Sequence, residues 1–253
     1  MRLNLFLGVI PLLLGALVGR AEDPQRVLFI GNSYTGVNKL PDVFGEVVKS
    51  VGRKVPEIKS ATPGGRTLKQ QLGLVASMKL IDEGGWDVVV LQGQSQEPAI
   101  AEKDEAVRKE FVESAAELCR RVRAKSPVAR IYFYETWARH PGYWASTKTG
   151  PEVGVDPKEM QARLRKWYGV VAKENAAMVV PCGDAWELNY LSSAPIRLHQ
   201  KDNSHPEFIG TYLNALIFYG KIYDVKSPAP KWTGKLNEAQ AAVMYETAAK
   251  VLK

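Results

Sequence analysis

Five short apolar runs alternate with longer segments of helical periodicity, and this alternation is the feature that most constrains the fold. A strand covered on both faces is apolar at nearly every position, whereas a surface helix carries its apolar residues on one stripe. Strands that alternate with helices build a parallel sheet between two helical layers. The sequence therefore predicts an α/β fold, a flavodoxin-like three-layer α/β/α arrangement with a five-stranded parallel sheet. The predicted strands cover residues 27–30, 55–61, 86–91, 130–134 and 177–181.

Helical segments separate these runs. The longest predicted helix, residues 102–125, has an acidic start and a basic end, which complement the helix dipole. Residues 135–156 are rich in proline, glycine and aromatic residues instead, and are predicted to form a long loop. With 253 residues, 45% of them hydrophobic, the chain has the size of one such domain. Further helices are predicted at residues 41–51, 157–175, 184–191, 206–223 and from Asn237 to the end.

Residues 1–21 stand apart from this pattern. Arg2 precedes an almost wholly apolar stretch that ends in Gly19-Arg20-Ala21, as is typical of a secretory signal peptide. The stretch also approaches the length of a short membrane span, so an uncleaved anchor is the alternative. We expect a signal peptide at residues 1–21 and a single domain at residues 22–253. The mature protein is then exported, to the periplasm or the outside, without stable membrane association.

The charged residues, cysteines and histidines indicate which partners, disulfides and metal sites to expect. Cleavage would remove Arg2 and Arg20 and lower the formal net charge from +7 to about +5. The remaining basic residues are dispersed, so no nucleic-acid partner is expected. Cys119 falls on an apolar helical stripe, which favours two buried thiols over a disulfide with Cys182. The three histidines lack paired spacing among acidic residues, which argues against a zinc site built by the protein.

Ser33 follows the first apolar run directly, after Gly31 and Asn32. Parallel sheets bind ligands beyond the carboxyl ends of their strands. A serine at that place can offer both its hydroxyl as a nucleophile and its own N–H as a hydrogen-bond donor. An ordinary turn that leaves the strand explains this stretch equally well when it is considered alone.

A second polar pair lies near the end of the chain. Pro206 suits the first position of the predicted helix, which places His205 at its cap and Asp202 one turn earlier. The Asp202 carboxylate can then accept a hydrogen bond from one ring nitrogen of His205 and leave the other nitrogen to act as a base. An isolated Asp-x-x-His is more often a capping turn.

Two loops supply candidate donors between these blocks. Gly64 and Gly65 follow the second run, where glycines permit close backbone approach, although a plain turn explains them as well. The loop 92–97 follows the third run and contains three glutamines around a glycine. Their side-chain amides are neutral donors at the edge where α/β sites form, and a merely polar loop is the alternative.

The order of these blocks resembles the SGNH (GDSL-like) hydrolase superfamily over essentially the whole mature chain. Residues 30–35 resemble its nucleophile block, with Asn32 at a position where aspartate is usual. Asp202-x-x-His205-Pro206 is similar to its acid-base block, and Gly65-Arg66-Thr67 to the block whose glycine gives an oxyanion N–H. The resemblance implies that Ser33, Asp202 and His205 are catalytic.

The third block departs from the usual Gly-x-Asn-Asp. Gln92-Gly93-Gln94-Ser95 is similar instead to the Gln-Gly-Glu-Ser of the sialate O-acetylesterase and acetylxylan esterase branches. This similarity implies an oxyanion hole formed by Ser33, Gly65 and the side chain of Gln92, with Gln94 as the alternate. Because glutamine replaces glutamate at position 94, Asp202 is left as the acid of the triad.

Together these features predict an exported serine esterase that needs no metal and no organic cofactor. The resemblance implies an O-acetyl group on a carbohydrate as the substrate, and Trp137 and Trp144 are candidate sugar-binding side chains because aromatic rings suit the apolar faces of sugars. A lipase or thioesterase is one alternative; it would use the same catalytic residues, with the insert formed by residues 135–156 as an apolar lid. A carbohydrate-binding protein that has lost catalysis is the other alternative.

Overall fold

The computed structural model describes residues 23–146 and 152–253, so the predicted signal peptide lies outside the described residues. None of the described helices combines the length and apolar character needed to cross a membrane. The strands are β1 (Arg26–Ile30), β2 (Glu57–Ala61), β3 (Val88–Leu91), β4 (Arg130–Glu135) and β5 (Met178–Pro181). The helices are α1 (Ser33–Gly36), α2 (Leu40–Ser50), α3 (Leu68–Leu72), α4 (Val75–Glu83), α5 (Glu97–Ile100), α6 (Glu105–Lys125), α7 (Gly142–Ser146), α8 (Pro157–Glu174), α9 (Cys182–Tyr190), α10 (Phe208–Tyr223) and α11 (Glu238–Val251).

The strands form one parallel sheet in the order β2-β1-β3-β4-β5, which confirms the predicted flavodoxin-like arrangement. The register places Ile30 level with Ala61 on one side and Leu91 on the other. The first three strands therefore end at the same edge of the sheet. After β1 the chain runs first to β2 on one side, and after β2 it crosses to β3 on the other side of β1. Such a change of direction opens a crevice for ligands.

Alternating side chains of β1 bury two separate cores. Val27 and Phe29 pack with α2, α9, α10 and α11 on one face, and Leu28 and Ile30 pack with α3, α4, α6 and α8 on the other. The two cysteines are buried free thiols, as expected, and they lie in different cores on opposite faces of the sheet.

The start of α10 differs from the prediction. The helix begins at Phe208, whereas Pro206 pairs with His199 in an isolated antiparallel bridge. The Glu207 N–H donates to Leu198 O at 2.8 Å, so the backbone is held extended beyond the proline. His205 consequently lies in a loop fixed by a neighbouring segment and not at a helix cap. The predicted loop 135–156 also contains the short helix α7, and its residues 147–151 lie outside the described residues.

Candidate active site

Ser33 is the first residue of α1 and directly follows the carboxyl end of β1 through Gly31 and Asn32. The turn is tight, and Gly31 must be a glycine there. A β-carbon at this position would come within 2.8 Å of Gln92 Oε1 and would overlap the hydroxyl of Thr35. Close packing against the third block therefore fixes the direction in which Ser33 leaves the sheet.

Ser33, His205 and Asp202 form an unbroken chain of hydrogen bonds. His205 Nε2 lies 2.9 Å from Ser33 Oγ, and His205 Nδ1 lies 2.5 Å from Asp202 Oδ2. Asp202 Oδ1 accepts from the backbone N–H groups of Ser204 and His205, both at 2.9 Å. The side chains of His205 and Asp202 are 32% and 46% exposed, so the base is open to a substrate.

The electrostatics of Asp202 favour a general base at His205. Partial burial would raise the pKa of Asp202, but the hydrogen bonds from the His205 ring and from two backbone N–H groups outweigh burial and hold this pKa below its ordinary value. The ionised carboxylate accepts a hydrogen bond from the Nδ1–H group and thereby fixes the tautomer. His205 Nε2 is then left to accept the proton of the Ser33 hydroxyl.

The loop 202–206, called the acid-base loop after the sequence block that it resembles, is tied to the segment that follows Ser33 by contacts that were not predicted from the sequence. The Tyr34 hydroxyl lies 2.9 Å from Ser204 Oγ, and Trp137 Nε1 donates to Ser204 O at 3.0 Å. Asn38 Nδ2 donates to Pro206 O at 2.9 Å. Tyr34 and Asn38 follow Ser33 closely in the chain, and this closeness is the one sequence feature that could have indicated their role in positioning the loop. These bonds set the distance between Ser33 and His205.

Comparison with known proteins gives structural matches only. A DUF4886 family protein from Bacteroides uniformis superposes with a TM-score of 0.75 at 17% identity, over 90% of this chain and 94% of its own. A lipase/acylhydrolase from Enterococcus faecalis gives 0.59 at 15% identity (79% and 96% covered), and the acetylxylan esterase Axe2 from Geobacillus stearothermophilus gives 0.57 at 15% identity (78% and 94% covered). No family model and no curated protein matches the chain.

The chain has the SGNH (GDSL-like) hydrolase fold. The resemblance expected from the sequence is thus confirmed for the fold, since a GDSL-like lipase from Parabacteroides merdae also superposes with a TM-score of 0.58 at 14% identity, over 79% of this chain and 95% of its own. Among the residues that the structure describes, no group of three or more His, Cys, Asp or Glu side chains is placed to hold a metal ion.

Two oxyanion donors expected from the sequence near Ser33 are backbone N–H groups. Ser33 N–H lies at the start of α1, where helical N–H groups lack intrahelical partners, and no described residue accepts from it. Gly65 is exposed with φ +69°. The neighbouring Arg66 O accepts from Asn32 Nδ2 at 3.0 Å, which holds this loop beside the nucleophile turn. The oxyanion role of Gly65 stays a prediction.

The expected oxyanion role of Gln92 requires correction. Its side chain is completely buried, and Gln92 Oε1 accepts from the Asn32 N–H at 2.9 Å and from the Thr35 hydroxyl at 3.0 Å. Since the backbone N–H can only donate, the amide oxygen must face it, and Nε2 turns to Gly93 O. Gln92 therefore shapes the turn that carries Ser33, and its completely buried side chain is not open to a substrate.

Gln94, the alternate donor, caps the next helix through its oxygen. Gln94 Oε1 accepts from the backbone N–H groups of Gln96 and Glu97 at 2.6 and 3.0 Å. No described residue accepts a hydrogen bond from Gln94 Nε2. Its role in the oxyanion hole thus stays a prediction.

Trp137 is not the sugar platform that the sequence analysis expected. Its ring is stacked between Tyr34 at 4.4 Å and Trp186 at 3.9 Å, with interplanar angles of 5° and 9°. Both faces are therefore covered, and Trp137 supports the acid-base loop from inside the core. Trp144 is half-buried and donates to Gly154 O at 2.8 Å, and its contact with a sugar stays a prediction.

The hydrogen bonds of the Asn32 side chain give a physical reason for an asparagine at a position where aspartate is usual. Its Nδ2 donates to Arg66 O at 3.0 Å and to Gly93 O at 3.1 Å, and the side chain is buried. A carboxylate would face both carbonyl oxygens without a proton to donate. We expect Asn32→Asp to lower the free energy of unfolding by about 2–4 kcal/mol at pH 8. Chemical denaturation should show a smaller loss at pH 4, where the acid regains one donor. Unchanged stability at pH 8 would contradict this account.

The buried side chain of Glu97, two residues after the third block, makes the free energy of unfolding depend on pH. Burial raises the pKa of Glu97 to about 7, above the ordinary 4.5. The folded state therefore holds this proton more tightly than the unfolded state, and stability is lost as the pH rises from 4.5 to 7. We expect Glu97→Gln to raise the free energy of unfolding by about 2–3 kcal/mol at pH 8 and to change it little near pH 4. Denaturation from pH 4 to 8, with the exposed Glu174→Gln as the matched control, measures this difference; the same gain at both pH values would refute it.

Proposed function

We propose that the chain is a serine esterase. The hydrogen-bonded chain Ser33–His205–Asp202, at the ligand-binding edge of an SGNH hydrolase fold, carries this proposal. Ser33 Oγ attacks the ester carbonyl carbon while His205 Nε2 takes the hydroxyl proton. His205 then returns the proton to the leaving alcohol, which leaves the acyl group as an ester on Ser33 Oγ. Water attacks this ester while His205 takes its proton, the bond to Ser33 Oγ breaks, the carboxylic acid leaves, and the proton returns to Ser33 Oγ. Every step uses protein groups and water.

The proposed substrate is an O-acetyl group on a carbohydrate. Its support is the acetylxylan esterase among the structurally similar proteins and the similarity of residues 92–95 to the third block of such enzymes. The half-buried Tyr143 and Trp144 sit on an insert beside the acid-base loop, since the His140 N–H donates to Asn203 O at 3.1 Å. The apolar stretch at residues 1–21 supports export to the periplasm or the outside.

The test is hydrolysis of 4-nitrophenyl acetate, butyrate and decanoate, followed by acetate release from acetylated xylo-oligosaccharides. An acetylesterase should prefer the acetate and release acetate from the oligosaccharides. A preference for the decanoate would favour the lipase alternative. Absence of turnover on every ester by correctly folded protein would overturn the esterase proposal and leave the sugar-binding alternative.

Gly65 offers a test of the backbone oxyanion donor. A β-carbon meets nothing within 4 Å at either Gly64 or Gly65, but only Gly65 has a left-handed φ. Alanine there strains the backbone by about 1–2 kcal/mol, and relaxation would turn the N–H away from the substrate. We expect Gly65→Ala to lower kcat for 4-nitrophenyl acetate about tenfold, as for partial loss of an oxyanion donor, and Gly64→Ala to leave it nearly unchanged. Equal effects of the two substitutions would argue against this role.

A further inference from the structure

Arg139 is a buried cation beside the candidate active site. The residue is 7% exposed and forms no ion pair with a described carboxylate. Its Nη2 donates to Ser95 Oγ at 3.0 Å, whereas its buried Nη1 has no hydrogen-bond partner among the described residues. Burial lowers the pKa of Arg139 to about 10, against the opposing influence of Tyr143 and Asp202, so the guanidinium remains charged at neutral pH. Burying a charge is costly, so a positive charge kept here calls for a role.

The guanidinium lies beside Tyr34, the residue that follows Ser33. Arg139 Cζ lies 5.6 Å from the centre of the Tyr34 ring, and that ring lies 5.5 Å from the imidazole of His205. The third block is held against the nucleophile turn on the same side, because Gly93 O accepts from Asn32 Nδ2. Ser95 follows only two residues after this anchor.

The Ser95 hydroxyl is free to donate a hydrogen bond. A guanidinium can only donate, so Ser95 Oγ must accept from Arg139, and the hydroxyl proton must point elsewhere. No described residue accepts that proton, although the side chain is only 6% exposed. A hydroxyl that accepts from a cation is a stronger donor, because hydrogen bonds in a chain polarise one another.

We propose that Ser95, oriented and polarised by Arg139, supplies the side-chain donor of the oxyanion hole that Gln92 does not supply. This inference rests on the proposed esterase function. As Ser33 Oγ bonds to the carbonyl carbon, the π-electron pair moves to the carbonyl oxygen, and the Ser95 O–H donates a hydrogen bond to that oxygen while keeping its proton. Arg139 acts through Ser95 and is a positioning residue; Ser95 is the catalytic donor.

The test compares kcat and KM for 4-nitrophenyl acetate in the full chain and its variants. We expect Ser95→Ala to lower kcat about 10²-fold with KM changed less than about threefold, and Ser95→Thr to recover most of the rate because it keeps a hydroxyl. Arg139→Met should cost a similar factor, Arg139→Lys should restore part of it, and the Ser95→Ala/Arg139→Met pair should lose no more than either single variant. Ser114→Ala, which removes a buried hydroxyl on α6, serves as the matched control.

Three results would overturn this inference. The first is an unchanged kcat in folded Ser95→Ala. The second is a loss of the expected size in Gln94→Ala but not in Ser95→Ala, which would return the role to Gln94. The third is independent, multiplying effects of Ser95→Ala and Arg139→Met, which would show that the two side chains do not act as a unit. A wild-type protein that hydrolyses no ester would instead overturn the proposed function, and this inference with it.

Discussion

Ser33→Ala is expected to lower kcat for 4-nitrophenyl acetate by about 10⁴–10⁶-fold, the loss seen when a triad nucleophile is removed. The proposed mechanism assigns the nucleophile to this hydroxyl because Ser33 Oγ lies 2.9 Å from His205 Nε2, and alanine would leave the proposed base without a hydroxyl to activate. The backbone N–H of residue 33 and the rest of the pocket remain. Substrate binding should therefore survive, and the loss should appear in kcat far more than in KM.

The control for this prediction is Ser50→Ala, which removes a hydroxyl that bonds only within its own helix region, at 2.9 Å from Val47 O. Its rate should equal that of the wild type. A fluorophosphonate probe offers an independent readout, because it should label Ser33 in the wild type and fail to label the alanine variant. Residual activity above a tenth of the wild-type rate would remove Ser33 from the mechanism.

The sequence was informative where function depends on local spacing. A buried strand that ends in Gly31-Asn32-Ser33 predicts an exposed serine at the sheet edge, because parallel strands end together at the ligand-binding side. Asp202 and His205 are three residues apart, so one turn of chain is enough to bring the carboxylate to the ring. The contact between Asp202 and His205 needed only short-range geometry, and it is present in the structure. The contact between Ser33 and His205 joins residues 172 positions apart, so its prediction rested on the resemblance in block order; it is also present.

The errors came from contacts between distant segments. Gln92 was expected to face a substrate, but an N–H and a hydroxyl of the nucleophile turn use its oxygen. Trp137 was expected on a loop surface, but it fills the space between Tyr34 and Trp186. A glutamine or tryptophan at a strand end has the same local pattern whether it faces a ligand or the core. Only the three-dimensional neighbours decide between these roles.

The prediction that a helix begins at Pro206 was wrong for a similar reason. Proline is favoured at the first position of a helix, and this preference predicted the cap at His205. The pairing of residues 199 and 206 competes with that preference and holds the backbone extended. His205, the proposed base, therefore lies on a loop whose position depends on hydrogen bonds with Tyr34 and Asn38.

Asp202→Asn should lower kcat by about 10⁴-fold while leaving the fold intact, because the amide imposes the wrong tautomer on the base. The asparagine oxygen can still accept from the N–H groups of Ser204 and His205, which would keep the loop closed. Its Nδ2 then faces His205 Nδ1, where the carboxylate oxygen stood at 2.5 Å. Since Nδ2 donates, Nδ1 must accept, the ring proton moves to Nε2, and His205 can no longer take the proton of Ser33.

Asp156→Asn is the matched control, because Asp156 also accepts a backbone N–H through Oδ1, at 2.7 Å from Glu159 N, but contacts no base. We expect wild-type kcat in this variant and an unchanged thermal midpoint in Asp202→Asn. A rate within tenfold of the wild type in Asp202→Asn would show that Asp202 only closes the loop. Another group would then have to set the tautomer of His205, and the proposed role of the Asp202 carboxylate in the triad would be refuted.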